Sequence, residues 1–133
     1  VVVAFSDREI GLDVEKIKGD RRKIAQRFFT PSEINDMETA GSQKEQVSYF
    51  YQLWTLKESY MKAIGKGMSM SLSSFAFKKE KGGFKLAFSA HDPDWAFYTP
   101  QWEDEYYLSI CSKAKDLTEQ KTISLAELNE MIS

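Results

Sequence analysis

Val47-Ser48-Tyr49-Phe50-Tyr51-Gln52-Leu53-Trp54-Thr55-Leu56-Lys57-Glu58-Ser59-Tyr60-Met61-Lys62-Ala63-Ile64 is the core of the longest periodic segment of the chain. Val47, Phe50, Tyr51, Trp54, Met61 and Ile64 recur at three or four residues, which is the spacing of a helical face. The pattern predicts one long helix over 43–64, stopped by Gly65-Lys66-Gly67. Upstream, Thr30-Pro31-Ser32-Glu33 reads as a helix start, with Thr30 as cap, Pro31 in the first turn and Glu33 closing a capping box. That helix ends before Gly41, and Ile24, Phe28 and Phe29 predict a shorter one from about Arg21 to Phe28.

Further out the period changes to two. Ile10-Gly11-Leu12-Asp13-Val14-Glu15 alternates strictly, with Ile10, Leu12 and Val14 on one face and Gly11, Asp13 and Glu15 on the other. Residues 1–7 are apolar and β-branched, so the two strands are expected to form a hairpin. After the long helix come Phe75-Ala76-Phe77, a turn at Gly82-Gly83, and Phe84-Lys85-Leu86-Ala87-Phe88. Two more strands are expected near 95–102 and 106–111, joined by the acidic turn Glu103-Asp104-Glu105. A short terminal helix begins at Ser124. The expected fold class is α+β: an N-terminal β-hairpin, helices including one long helix, then an antiparallel β-meander, in one domain spanning 1–133.

Composition bounds the function. The chain has 133 residues, 42% hydrophobic and 14% aromatic, enough for a packed core in a single domain. Eighteen basic residues stand against 20 acidic ones, for a net charge of −2. A dedicated nucleic-acid binder usually shows a basic excess, so that class is set aside. No apolar run approaches membrane-spanning length. The one cysteine, Cys111, excludes an internal disulfide framework and suits a reducing compartment, so a cytoplasmic location is expected. The opening Val1-Val2-Val3-Ala4-Phe5 reads as a strand met midway, so a fragment or processed chain is expected.

Asp13 and Glu15 are two apart on a strand and leave the same face. Carboxylates placed together repel unless a cation sits between them. Hard oxygen donors without a nearby His or Cys favour Mg²⁺ over zinc or copper. Taken alone, such a pair is more often the solvated face of a hairpin. On the long helix Glu58 and Lys62 lie four apart, on one face, with Trp54 four before Glu58. An ordinary surface ion pair is worth only a few tenths of a kcal/mol and does not account for the apolar residues around it. A third carboxylate beside Asp13 and Glu15 would complete a magnesium site, and a lysine beside it could hold a phosphate.

Gly11-Leu12-Asp13-Val14-Glu15, then Arg27-Phe28-Phe29-Thr30-Pro31-Ser32-Glu33, then Trp54-Thr55-Leu56-Lys57-Glu58-Ser59-Tyr60-Met61-Lys62-Ala63-Ile64-Gly65-Lys66-Gly67 together resemble the 4′-phosphopantetheinyl transferase superfamily, in particular its Sfp-like branch. Each motif is weak alone, but three in this order and spacing are specific. The close match covers about residues 10–70. The resemblance implies transfer of the phosphopantetheine arm of coenzyme A onto a serine of an acyl or peptidyl carrier protein, with adenosine 3′,5′-bisphosphate released. It implies Asp13, Glu15 and Glu58 as magnesium ligands, Lys62 as a contact to the coenzyme A phosphates and a catalytic group with Glu58, and Lys57 as a further coenzyme A lysine. Glu33 matches an acid of structural or supporting role. Sfp-like enzymes have two similar halves, and this chain resembles the second. Pairing with a missing N-terminal half, or self-association, is therefore expected across Val1–Phe5 and apolar residues of the long helix. A non-catalytic half-domain that binds a carrier protein is the alternative.

The basic stretch Lys16 to Arg27 would suit an acidic carrier, and is about as readily a solvated helix face. His91 reads as a loop residue and Cys111 as a buried structural thiol.

Overall fold

A computed structural model describes residues 9–65, 70–81, 83–89, 94–99 and 104–113. In chain order these form β1 (Ile10–Lys16), a 3-10 turn (Arg22–Ile24) running into α1 (Ala25–Phe28), α2 (Pro31–Glu38), α3 (Gln43–Ile64), a second 3-10 turn (Leu72–Ser74), β2 (Ala76–Glu80), β3 (Gly83–Phe88), β4 (Ala96–Tyr98) and β5 (Tyr106–Ser112). The mixed α+β architecture and the antiparallel strands are those the sequence predicts. The strand over 1–7, its hairpin with β1, the terminal helix from Ser124, and His91 lie outside the described residues.

The helix ends follow from local chemistry. Thr30 accepts from the Glu33 amide, and the Glu33 carboxylate accepts from the Thr30 amide, which closes the expected capping box with Pro31 in the first turn. Ser42 caps α3 in the same way, accepting from Glu45 N.

The strands form two sheets, β1-β5-β4 and β2-β3, with every described pairing antiparallel. Gly11, Asp13 and Glu15 stand opposite Cys111, Ser109 and Tyr107 of β5. It is this polar face of β1, rather than Ile10, Leu12 and Val14, that turns to α3. Tyr51 stacks on Tyr107 at 5.7 Å, and Thr55 shares a 2.6 Å hydrogen bond with Ser109. One turn further, β1 meets α3 at Gly11: a Cβ there would lie 2.0 Å from the Ser59 carbonyl oxygen and 2.7 Å from the Ala63 nitrogen. A glycine inside a strand commonly marks such a close approach of two backbones. The opposite face of β1 leaves Val14 37% exposed.

Below α3 lies an aromatic core of Tyr60, Phe75 and Phe77, with Phe97 against it. An ion pair is sealed into this core. Lys57 Nζ donates to Glu33 Oε1 and to the Phe75 carbonyl, both at 2.6 Å, and neither side chain of the pair is exposed to solvent. Glu33 Oε2 accepts from the Phe77 amide at 2.9 Å. Its carboxylate therefore ties together the start of α2, the middle of α3 and the start of β2. The Lys57 ammonium also lies 4.6 Å from the centroid of the Phe75 ring. Burial pulls the Lys57 pKa below its ordinary value, and the Glu33 charge acts against that pull.

Val1–Phe5, part of the expected pairing surface, lie outside the described residues. Among the described residues the exposed large hydrophobics are Val14, Ile17 and Phe88, and none belongs to α3.

Two stability measurements check this architecture. Gly11→Ala should lower unfolding free energy by about 1–3 kcal/mol in urea titration, because backbone rather than a yielding side chain blocks the new methyl. Lys57→Met should cost about 3–5 kcal/mol by leaving Glu33 buried without its cation, and Glu33→Gln added to it should recover part of the loss.

Candidate functional site

β1 and α3 build the site where they cross. The close approach at Gly11 carries Asp13 and Glu15, two and four residues on, along the helix surface. There α3 presents Glu58 and Lys62, one turn apart. Lys62 Nζ donates to Asp13 Oδ1 at 2.6 Å. The Asp13 side chain is 6% exposed and that of Lys62 53%, so the carboxylate is walled in while the lysine reaches it from the surface. The other carboxylate oxygen, Asp13 Oδ2, is buried and has no hydrogen-bond partner.

Electrostatics couples the group. Burial pushes the Asp13 carboxyl up to about 6. The bond and charge of Lys62 oppose this, and the like charges of Glu15 and Glu58 add to it. Burial also raises the Glu58 carboxyl, with Lys62 opposing and Glu15 reinforcing. Asp13, Glu15, Glu58 and Lys62 thus feel one another's charge, as the same-face spacings predict.

Lys57 is not part of this group. The sequence resemblance implies a coenzyme A contact for it, but its ammonium is enclosed by Glu33, Phe75 and Phe29 in the core and has no exposed surface to offer. One residue along a helix turns a side chain by about 100°, and Lys57 falls on the buried stripe between Leu53 and Tyr60. That stripe was the signal in the sequence. Gly11 carried a similar one, as the lone glycine of an otherwise regular strand.

Among the described residues no three Asp, Glu, His or Cys side chains are arranged to hold a metal ion on their own. Asp13 is paired with the Lys62 ammonium. The donor set nevertheless suits a hard divalent ion: carboxylate oxygens, mutually repelling, with one buried oxygen lacking any partner.

Around the site, the stretch from the end of β1 onward is exposed and basic, with Lys16, Lys18, Arg21, Lys23 and Arg27 at the surface. Tyr51 pins it. Its hydroxyl accepts from Lys18 N at 2.9 Å and donates to the Gly19 carbonyl at 2.8 Å. Arg22 is held by Asp20 and by Gln46.

The pKa of Asp13 gives a pH prediction. A carboxyl raised from 3.8 to about 6 binds more protons folded than unfolded across that window. Stability should therefore fall as pH rises from about 4 to 6, and the whole cost should be present above that range. Carboxyl-carbon NMR should place the Asp13 midpoint near 6 without added metal, and Asp13→Asn should flatten that part of the stability curve.

The family model of the 4′-phosphopantetheinyl transferase superfamily matches residues 9–111. The Bacillus subtilis 4′-phosphopantetheinyl transferase Sfp is 36% identical over 131 residues, covering 96% of this chain and 58% of that protein. A second Bacillus subtilis 4′-phosphopantetheinyl transferase is 37% identical over 118 residues, 87% of this chain and 52% of its own. The chain thus spans about half the length of these relatives. Among solved structures, Thermotoga maritima holo-[acyl-carrier-protein] synthase superimposes with a TM-score of 0.64 at 21% identity, over 78% of this chain and 61% of that one. A Bacillus anthracis holo-(acyl-carrier-protein) synthase in complex with CoA (3′,5′-ADP) gives 0.62 at 17% identity, over 78% and 93%. These two likenesses concern the fold.

Proposed function

The chain belongs to the 4′-phosphopantetheinyl transferase superfamily, and from that premise we propose that it transfers the 4′-phosphopantetheine arm of coenzyme A to a serine of an acyl or peptidyl carrier protein. The observation that carries this reading is the meeting of Asp13, Glu15, Glu58 and Lys62 where β1 crosses α3.

The serine hydroxyl oxygen forms a bond to the β-phosphorus of the coenzyme A pyrophosphate. The bond from that phosphorus to the bridging oxygen breaks, and adenosine 3′,5′-bisphosphate leaves. Glu58 accepts the hydroxyl proton, directly or through a water. Asp13, Glu15 and Glu58 would hold Mg²⁺, which when bound supplies charge neutralisation at the pyrophosphate. Lys62 stands half-exposed beside Asp13, within reach of a site where its ammonium can face the phosphates. Phosphoryl transfer asks little else of a protein than positioning and charge.

The exposed basic residues after β1 suit the acidic surface of a carrier, and Tyr51 holds their backbone in place. Cys111 is a buried free thiol and no described helix is long and apolar enough to cross a membrane; we place the enzyme in the cytoplasm.

The test is transfer of a labelled coenzyme A arm to an apo carrier, run with this chain and with the full-length gene product. Asp13→Asn should reduce the rate by roughly 100-fold or more, the scale of losing one preorganised charge. Lys62→Ala should lower kcat/KM for coenzyme A by roughly 30-fold. Full activity of both variants would refute the assignment. Inactivity of this chain beside an active full-length product would show that the site needs a second half.

A further inference from the structure

Two lysines on α3 hold carboxylates at the same distance, but in opposite settings. Lys57 meets Glu33 at 2.6 Å with both side chains fully enclosed. Lys62 meets Asp13 at 2.6 Å with the lysine 53% exposed and the aspartate 6% exposed. The first pair cannot open without unpacking the core. The second can open by motion of one partner alone, because about half of the Lys62 side chain is exposed while Asp13 is fixed in β1 against α3. Asp13 also offers a second oxygen, Oδ2, that is buried and unpartnered.

We propose that Lys62 is a displaceable counter-ion, holding Asp13 in the metal-free protein and giving it up when a divalent cation binds, so that its ammonium becomes available to phosphate oxygens. The proposal rests on the magnesium reading above and adds to it an order of events. A cation at Asp13 Oδ2 and an ammonium at Oδ1 of the same carboxylate repel each other, so binding of one weakens the hold of the other. The lysine keeps a buried carboxylate neutralised in the meantime, which otherwise carries the full cost of a lone buried charge. Phosphates arriving with the substrate compensate the released ammonium. Divalent cation and coenzyme A should therefore strengthen each other's binding by equal factors.

The experiment uses Mn²⁺ as the metal probe, read by electron paramagnetic resonance of the free ion, on the intact protein at pH 8. Without coenzyme A, Lys62→Met should bind Mn²⁺ about tenfold tighter than wild type, the scale of one competing charge-assisted hydrogen bond. Lys62→Gln, which keeps most of the stem, should behave likewise. With coenzyme A present, the extra Mn²⁺ affinity that coenzyme A confers on wild type should shrink in both variants. Independently, Mg²⁺ should increase acylation of Lys62 by an amine-reactive ester several-fold, read by mass spectrometry, and should lose that effect in Asp13→Asn. Equal or weaker Mn²⁺ binding by both Lys62 variants, or a Lys62 acylation rate indifferent to Mg²⁺, overturns the displacement while leaving the magnesium reading in place. A wild-type protein that binds no Mn²⁺ with or without coenzyme A overturns both.

Discussion

The Lys57 ammonium, enclosed between Glu33 and the Phe75 carbonyl, fixes the rotation of the long helix about its own axis. A helix of 22 residues lying on a sheet can roll by a fraction of a turn at modest cost if only apolar side chains hold it, since apolar contact is not directional. A buried charge is different, because it must find its partners at hydrogen-bond distance or lose several kcal/mol. Glu33 in turn is held by the Thr30 amide at the start of α2 and the Phe77 amide in β2. Once Lys57 points inward, its neighbour Glu58 and the next-turn residue Lys62 have no choice of direction. They face the edge where β1 passes. The residue that the family motif places beside the acid thus contributes to the site by orientation.

The second constraint comes from β1. A strand packed against a helix would ordinarily turn its apolar side to that helix. Here Gly11, Asp13 and Glu15 turn inward, while Val14 on the other face remains more than a third exposed. What replaces hydrophobic burial here is the backbone proximity of β1 to α3 at Gly11, with the Thr55–Ser109 hydrogen bond and the Tyr51–Tyr107 stack joining α3 to the neighbouring β5. The consequence is chemical. A carboxylate brought this close to a helix loses most of its water, which raises its pKa and leaves one oxygen without a partner. Hydrophobic pairing of the same two elements would have sent Asp13 to the solvent, where a carboxylate is fully hydrated and has little call for a cation.

Much of this was legible in the sequence. The bounds of α3, the capping box at Thr30 and Glu33, and the strict alternation of β1 are local matters, decided by helical or strand periodicity and by one hydrogen bond between near neighbours. The same-face relations of Asp13 with Glu15 and of Glu58 with Lys62 are local too, and they announce the chemistry. Which face of β1 meets the helix, that β5 lies beside β1, and that Lys57 is sealed while Lys62 stays open were decided by tertiary structure alone. Both lysines sit on one helix with an acid within reach; the stripe of Leu53 and Tyr60 puts Lys57 on an apolar side, but that local pattern does not say what will cover it. That difference depends on what packs over each side chain, here α2 and β2 over Lys57 and open solvent over much of Lys62, and such packing joins residues dozens of positions apart.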